Sequence, residues 1–192
     1  MLKFDDFSFK YNDYIFNMLN VELYENKVGI VGDNGVGKTT LLRLINGDLV
    51  GETGEIIYEG PSYFMDFNDR NYMYFTIRDL IDLCKSLNSF FDDFDTLIEL
   101  LHLSSYLNIA LEKLSLGNKK KVYIMLGLAY NGKLLLMDEP FENLDRNSND
   151  SLISYINKDK RSYIIVSHNL DLLRKCVDTI YEIKNGKIIR YE

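Results

Sequence analysis

Nine consecutive residues constrain this chain more than any others: Gly32-Asp33-Asn34-Gly35-Val36-Gly37-Lys38-Thr39-Thr40. They follow the apolar run Val28 to Val31 and precede the helical pattern Leu41, Leu42, Leu44, Ile45. A buried strand, a glycine loop and a helix start, in that order, make a phosphate-binding loop. The glycines let successive backbone N–H groups curl inward around phosphate oxygens. A helix beginning near Lys38 turns the positive end of its dipole to the same point. Lys38 is expected to reach the β- and γ-phosphates. Thr39 is expected to put a hydroxyl where Mg2+ sits, because a small hard cation takes oxygen ligands and shares them with the nucleotide. A glycine turn with no ligand is the alternative, and the two correct flanks argue against it.

A second apolar run, Leu134-Leu135-Leu136-Met137, ends in Asp138-Glu139-Pro140. An unbroken run implies burial on both faces, as in a parallel sheet, so the two acids fall at the carboxyl end, where α/β sheets bind ligands. Asp138 is expected to hold Mg2+ through water and Glu139 to polarise an attacking water. A third strand, Ser162 to Val166, ends at Ser167-His168, again at a carboxyl end. Taken alone, that histidine reads as a hydrogen-bonded structural residue.

The remaining chain reads around these strands. Leu2 to Phe9 and Tyr14 to Leu23 predict two antiparallel strands around a turn at Asn12-Asp13, and Glu55 to Tyr58 and Ser62 to Met65 two short strands. Tyr11, at the first turn, is either a stacking platform for a purine or an ordinary turn residue. Helical spacing at Leu80, Leu83 and Leu87, then at Leu97, Ile98, Leu100, Leu101 and Leu103, predicts a mostly helical insert over about 67–130. The aromatic cluster Tyr63, Phe64, Phe67, Tyr72, Tyr74, Phe75 at its start is core, or a partner patch if exposed. Lys119-Lys120-Lys121 reads as a solvated basic face, with anion or interface contact as the lesser alternative. A helix near Ser148 to Asn157, a short one over Leu170 to Lys175, and a closing hairpin through Asn185-Gly186 complete the pattern. The fold class is therefore α/β: a P-loop NTPase with a mostly parallel core sheet, an antiparallel N-terminal β part and a helical insert.

At 192 residues and 46% hydrophobic, the chain fits one domain. No apolar run approaches the roughly 20 residues that cross a bilayer, and the acidic start Met1 to Asp6 does not resemble a signal peptide. The expectation is a cytoplasmic chain with no direct membrane insertion, held at a membrane only through a partner. Cys84 and Cys176 lack metal-ligand spacing and read as reduced core thiols. A net charge of −7 argues against broad nucleic-acid binding and does not exclude a nucleotide.

With phosphate loop, acidic strand end and histidine in order, the chain resembles the nucleotide-binding domain of ABC-type ATPases over essentially its whole length. Leu114-Ser115-Leu116-Gly117-Asn118 is similar to the family signature Leu-Ser-Gly-Gly-Gln, and Asn143-Leu144-Asp145 to its D-loop. Leu-Ser-Leu-Gly is also similar to the signature of peptide-antibiotic immunity and resistance exporters. The resemblance implies a head-to-tail homodimer or heterodimer in which each ATP lies between one phosphate loop and the partner's signature, driving a membrane permease subunit on a separate chain. Ser115 and the Gly117 N–H would face the γ-phosphate across that interface. Asp145 would belong to the same site, and His168 would contact the γ-phosphate and hold Glu139. Tyr11 aligns with the adenine-stacking aromatic. Leu116 replaces the first signature glycine and is expected to be tolerated. The family's glutamine at the end of the strand entering the insert is missing, since the chain contains no Gln. Asp66 is the nearest positional match as a Mg2+ ligand, with Asn68 second. The leading expectation is the ATPase subunit of an exporter. The alternatives are a soluble non-transport ABC ATPase, for which basic linkers and coiled coils are lacking, and a regulator impaired in hydrolysis, against which Glu139 and His168 argue and for which the missing glutamine speaks.

Overall fold

Alternation within the apolar runs determines the architecture. In a computed structural model describing residues 1–67, 71–87, 89–90 and 93–191, Leu134 and Leu136 face one hydrophobic core and Leu135 and Met137 the other. Their strand, β6 (Leu134–Asp138), is covered on both sides, as an unbroken run requires. It belongs to a six-stranded sheet ordered β5-β6-β7-β3-β8-β9. These strands are β3 (Lys27–Val31), β5 (Ser62–Met65), β7 (Ser162–Val166), β8 (Thr179–Lys184) and β9 (Lys187–Arg190). All neighbours pair in parallel except β8 and β9, which close through Asn185-Gly186, both at positive φ (49° and 71°). Asn and Gly supply the two left-handed positions that a two-residue hairpin needs.

One face of this sheet packs on α1 (Lys38–Asn46) and on a three-stranded antiparallel sheet, β2-β1-β4, made of β1 (Leu2–Lys10), β2 (Tyr14–Leu23) and β4 (Thr53–Tyr58). The other face packs on α2 (Ile77–Lys85), α3 (Phe94–Leu100), α4 (Leu116–Ala129), α5 (Arg146–Lys158) and the short α6 (Leu170–Leu173). The expected α/β class with its parallel and antiparallel parts is what the chain forms. Cys84 and Cys176 are both free and buried, and burial pushes the Cys84 thiol up to about 11, so it stays protonated and inert.

One sequence expectation is corrected by burial, and one that the sequence leaves open is divided. Lys120 and Lys121 are not a solvated face: they are 8% and 7% exposed. Val122 through Ala129 is buried all round, and a helix with no wet side draws in the lysines one turn earlier. The aromatic cluster divides. Tyr63 and Phe67 pack against the helical core and Phe64 against the other, whereas Tyr72 and Phe75 meet edge to face at the surface and Tyr74 is exposed.

Candidate nucleotide site

Four adjacent parallel strands, β5-β6-β7-β3, end on the same edge, and each delivers a residue that the sequence singled out. β3 runs into the glycine loop, β6 ends in Asp138 with Glu139 next, β7 leads to His168, and β5 leads to Asp66. A cavity of about 710 Å³ opens there, bordered by Tyr11, Lys38, Thr39, Asp66, Asp138, Glu139 and His168 among others. Asn34, Gly35, Gly37 and Thr40 also border it.

The backbone of the loop suits an anion. Gly37 sits at φ 109° with its Cα hydrogen toward Ile15, where a Cβ would come within 2.5 Å of Ile15 Cγ2. Gly32, at φ 146°, would place a Cβ 2.7 Å from the Ile183 carbonyl. No other residue type fits either position. Asp33 and Val36 close the turn, with the Val36 N–H directed to the Asp33 carbonyl at 3.4 Å. The first turn of α1 has no side-chain cap and no acidic residue, whereas α2 carries a full Thr76/Asp79 capping box and α4 and α5 are capped by Ser115 and Asp145. Its N–H groups remain available to an anion. Lys38 is 8% exposed, its Nζ donating to the carbonyls of Gly32 (2.8 Å) and Asp33 (2.9 Å), so the cation is held at the centre of the loop.

Thr39 Oγ1 donates to Asp138 Oδ2, joining residues 99 apart in the chain. A hydroxyl beside a carboxylate is a hard-oxygen pair of the kind Mg2+ takes when phosphates and water supply its other ligands. Among the described residues no group of three or more His, Cys, Asp or Glu is placed to hold a metal. Asp66 borders the same cavity, with its carboxylate 3.7 Å from the Arg43 guanidinium of α1. Asn68, the second candidate for the missing glutamine, lies outside the described residues.

Glu139 has a positive φ of 52°, in the left-handed region that a non-glycine residue rarely occupies. This turn sends its carboxylate back toward β7, where the His168 N–H donates to Oε2 at 3.1 Å. Oε1 is buried without a hydrogen-bond donor among the described residues, and His168 Nε2 stands 3.4 Å away without hydrogen-bond alignment. A buried carboxylate oxygen with spare acceptor capacity suits a group that orients water. Burial pushes the Glu139 carboxyl above its usual range, and the His168 N–H and imidazole offset this only in part. Turnover that uses ionised Glu139 is therefore expected to fall on its acid side at a pH above the ordinary glutamate value. A profile of kcat against pH measures this, and the acid limb should vanish in Glu139→Gln.

Tyr11 is 58% exposed at the cavity mouth and rests edge-on against Phe9, with ring centroids 5.0 Å apart. Ser115, Gly117 and Asp145 do not border the cavity in this single chain. Ser115 accepts the Asn118 N–H at the start of α4, and Asp145 accepts from Ser148 at the start of α5. These two helix starts touch: a Cβ on Gly117 would lie 2.5 Å from the Asn143 carbonyl, and Lys121 Nζ donates to Asp145 Oδ2 at 2.8 Å. That hydrogen bond from Lys121 is the main reason the Asp145 carboxyl is held well below the usual range. Sequence reasoning missed Lys120, Lys121 and Arg43. The signal for the two lysines was the apolar run behind them, which leaves α4 no solvent face.

A family profile described as ABC transporter matches residues 16–142. An uncharacterized ABC transporter ATP-binding protein of Methanocaldococcus jannaschii is 26% identical over 187 residues, covering 92% of this chain and 71% of its own length. The lipoprotein-releasing system ATP-binding protein LolD of Wigglesworthia glossinidia brevipalpis is 28% identical over 204 residues, covering 92% and 88%. Among solved structures, an ATP-binding subunit of an ABC transporter superposes with a TM-score of 0.87 at 21% identity, covering 98% of this chain and 88% of its own. A dimeric ATP-binding cassette bound to ADP and Pi superposes with a TM-score of 0.80 at 20% identity, covering 98% and 96%. At those identities the likeness is one of fold. The profile match spans more than half of the residues, and the phosphate loop, the acidic strand end and the histidine meet at one cavity: this chain belongs to the ABC transporter family, as an ATP-binding ATPase subunit.

Proposed function

We propose that the chain hydrolyses ATP with Mg2+ as half of a head-to-tail pair, and that the pair drives a permease carried on a separate chain. The observation that carries this reading is the convergence of Lys38, Thr39, Asp138, Glu139 and His168 on one cavity at the ends of neighbouring parallel strands. In the reaction, the loop N–H groups and Lys38 hold the phosphates, and Tyr11 offers its ring to the base. Thr39 and Asp138 would hold the magnesium ion, which when bound neutralises phosphate charge. Glu139 Oε1 orients the attacking water and takes up its proton, while His168 holds the carboxylate and reaches toward the γ-phosphate.

The reading calls for a second copy because Ser115 and Leu116 are exposed and, although Leu116 borders the chain's own cavity, Ser115 and Gly117 do not. An outward-facing helix start suits a phosphate held by another subunit. No helix among the described residues is long and apolar enough to cross a membrane, so a permease would have to lie outside them. We read the direction as export and the place of work as the cytoplasmic face of the membrane, on the Leu-Ser-Leu-Gly signature. The test is co-purification of tagged chain with a permease encoded beside it, followed by ATPase assay of the complex in lipid. A permease that stimulates phosphate release supports the reading, and a chain that elutes alone with no response to lipid-reconstituted permease overturns it.

Asp66 takes the place of the missing glutamine in this scheme. Asp66→Ala is expected to lower turnover several-fold, on the order of 1 kcal/mol of transition-state stabilisation, with little change in ATP affinity. Phosphate release and nucleotide titration separate the two. Unchanged turnover would confine Asp66 to its ion pair with Arg43.

A further inference from the structure

Lys120 occupies a position that the reading above does not use. Its Nζ donates to the Glu139 backbone carbonyl at 2.6 Å and lies 4.8 Å from the centre of the Phe67 ring. The residue is 8% exposed and sits among the carboxylates of Glu142, Glu139 and Asp138. Burying an ammonium is unfavourable unless it is well partnered, and a carbonyl, an aromatic face and three nearby anions supply partners.

Glu139 needs such a contact. Its left-handed backbone is uncommon for a residue with a Cβ, so the surroundings must fix it. The Glu139 N–H is anchored to the Val166 carbonyl of β7 at 2.9 Å. On its other side the carbonyl accepts the Lys120 ammonium and, at 3.3 Å, the Glu142 N–H. With both ends of the residue held, the side chain starts from a fixed backbone direction, and its carboxylate meets the His168 N–H. The charge-assisted bond is the shortest of these contacts, and it comes from α4, just after Ser115-Leu116-Gly117.

We propose that Lys120 is a positioning residue for Glu139: it holds the left-handed backbone turn that aims the carboxylate, and so ties the start of α4 and the loop at Phe67 to the water-orienting group of the same chain. This rests on the role given to Glu139 above, and the test includes a measurement that does not need turnover. In Lys120→Met, kcat is expected to fall between about tenfold and a hundredfold, the effect of slight misplacement of a reacting group, with ATP affinity within about twofold of the parent. The His168 amide, whose acceptor is Glu139 Oε2, is expected to exchange with solvent at least about tenfold faster in the nucleotide-free protein. Lys120→Arg, which keeps a cationic donor, should recover part of both. Parental kcat together with parental exchange at His168 would overturn the proposal, as would a parallel loss of affinity and turnover with unchanged exchange. If Lys120→Met fails to fold, Lys120→Gln, polar but too short for the carbonyl, decides on the same two readouts. A parent with no ATP turnover would remove the catalytic reading of Glu139, and the exchange comparison would still decide whether Lys120 holds that residue.

Discussion

Glu139→Gln is expected to reduce ATP turnover by about a hundredfold to ten-thousandfold, the usual contribution of a positioned acid–base group, while leaving ATP binding intact. The amide matches the carboxylate in shape, and its oxygen can still accept the His168 N–H that now reaches Oε2. It cannot take a proton from water. Lys38, Thr39 and the loop are untouched, so the nucleotide should be retained and the two-copy state should accumulate with Mg-ATP. Phosphate release and size-exclusion chromatography with and without nucleotide read the two effects. A variant that hydrolyses at the parental rate would remove Glu139 from the chemistry, and one that never pairs with ATP would remove the head-to-tail assembly. Stability should move the other way. A carboxyl whose folded pKa is raised by burial favours folding while protonated, and that contribution is lost as pH rises through the folded value. At neutral pH the ionised group is therefore a local liability, and the neutral amide should melt no lower than the parent, with activity traded for stability at one residue.

Arg161→Ala is expected to cause the largest loss of stability, about 3–5 kcal/mol, because it leaves a buried partner charge without its counterion. Arg161 and Asp159 are 13% and 12% exposed in their side chains and lie 2.6 Å apart. The guanidinium also donates to the carbonyls of Tyr130 (2.7 Å) and Leu128 (2.9 Å), closing the end of α4 onto the start of β7. Asp159 accepts from Tyr163 Oη as well. Burial by itself would raise the Asp159 carboxyl, but the Arg161 and Tyr163 hydrogen bonds outweigh it and hold the group below its ordinary value. Stability from a depressed carboxyl is present above its unfolded pKa and is lost as pH falls through the folded one, so the parent should weaken in acid and Arg161→Ala should show less of that dependence. For a domain of this size the change corresponds to a fall in Tm of roughly 6–20 °C. Calorimetry checks it. Arg161→Lys should restore only part, since a single ammonium cannot span the carboxylate and two carbonyls as the planar fork does. A melting temperature within about 2 °C of the parent would show the cluster to be structurally idle.

The elements that border the cavity were legible in the sequence because they combine two local signals. Gly32 to Thr40 pairs special backbone positions with a buried strand, and Asp138 and Glu139 end a run whose alternation feeds two cores. What escaped was set by tertiary burial. Three lysines in a row look the same as a wet face, and only the crowding around α4 reveals that Lys120 and Lys121 are turned inward to Glu139 and Asp145. The Arg43–Asp66 pair joins a helix to the end of a strand whose sheet neighbour could not be read locally. Tyr63 and Tyr74 belong to one aromatic cluster in the sequence, yet one is packed and the other exposed, because spacing does not say where a sheet face stops.

The unadorned beginning of α1 carries a final consequence. The helices α2, α4, α5 and α6 are capped in their first turn by a side chain of their own, whereas α1 is left open to an anion, which in the scheme proposed above is the triphosphate. On the proposed function, fuel and scaffold would overlap at this point: a nucleotide bound here would add about 2.7 kcal/mol to stability at a concentration a hundred times its dissociation constant. On the proposed mechanism, each turnover would withdraw and restore a contact at this helix start, so that loss of one phosphate would register as a change in local rigidity.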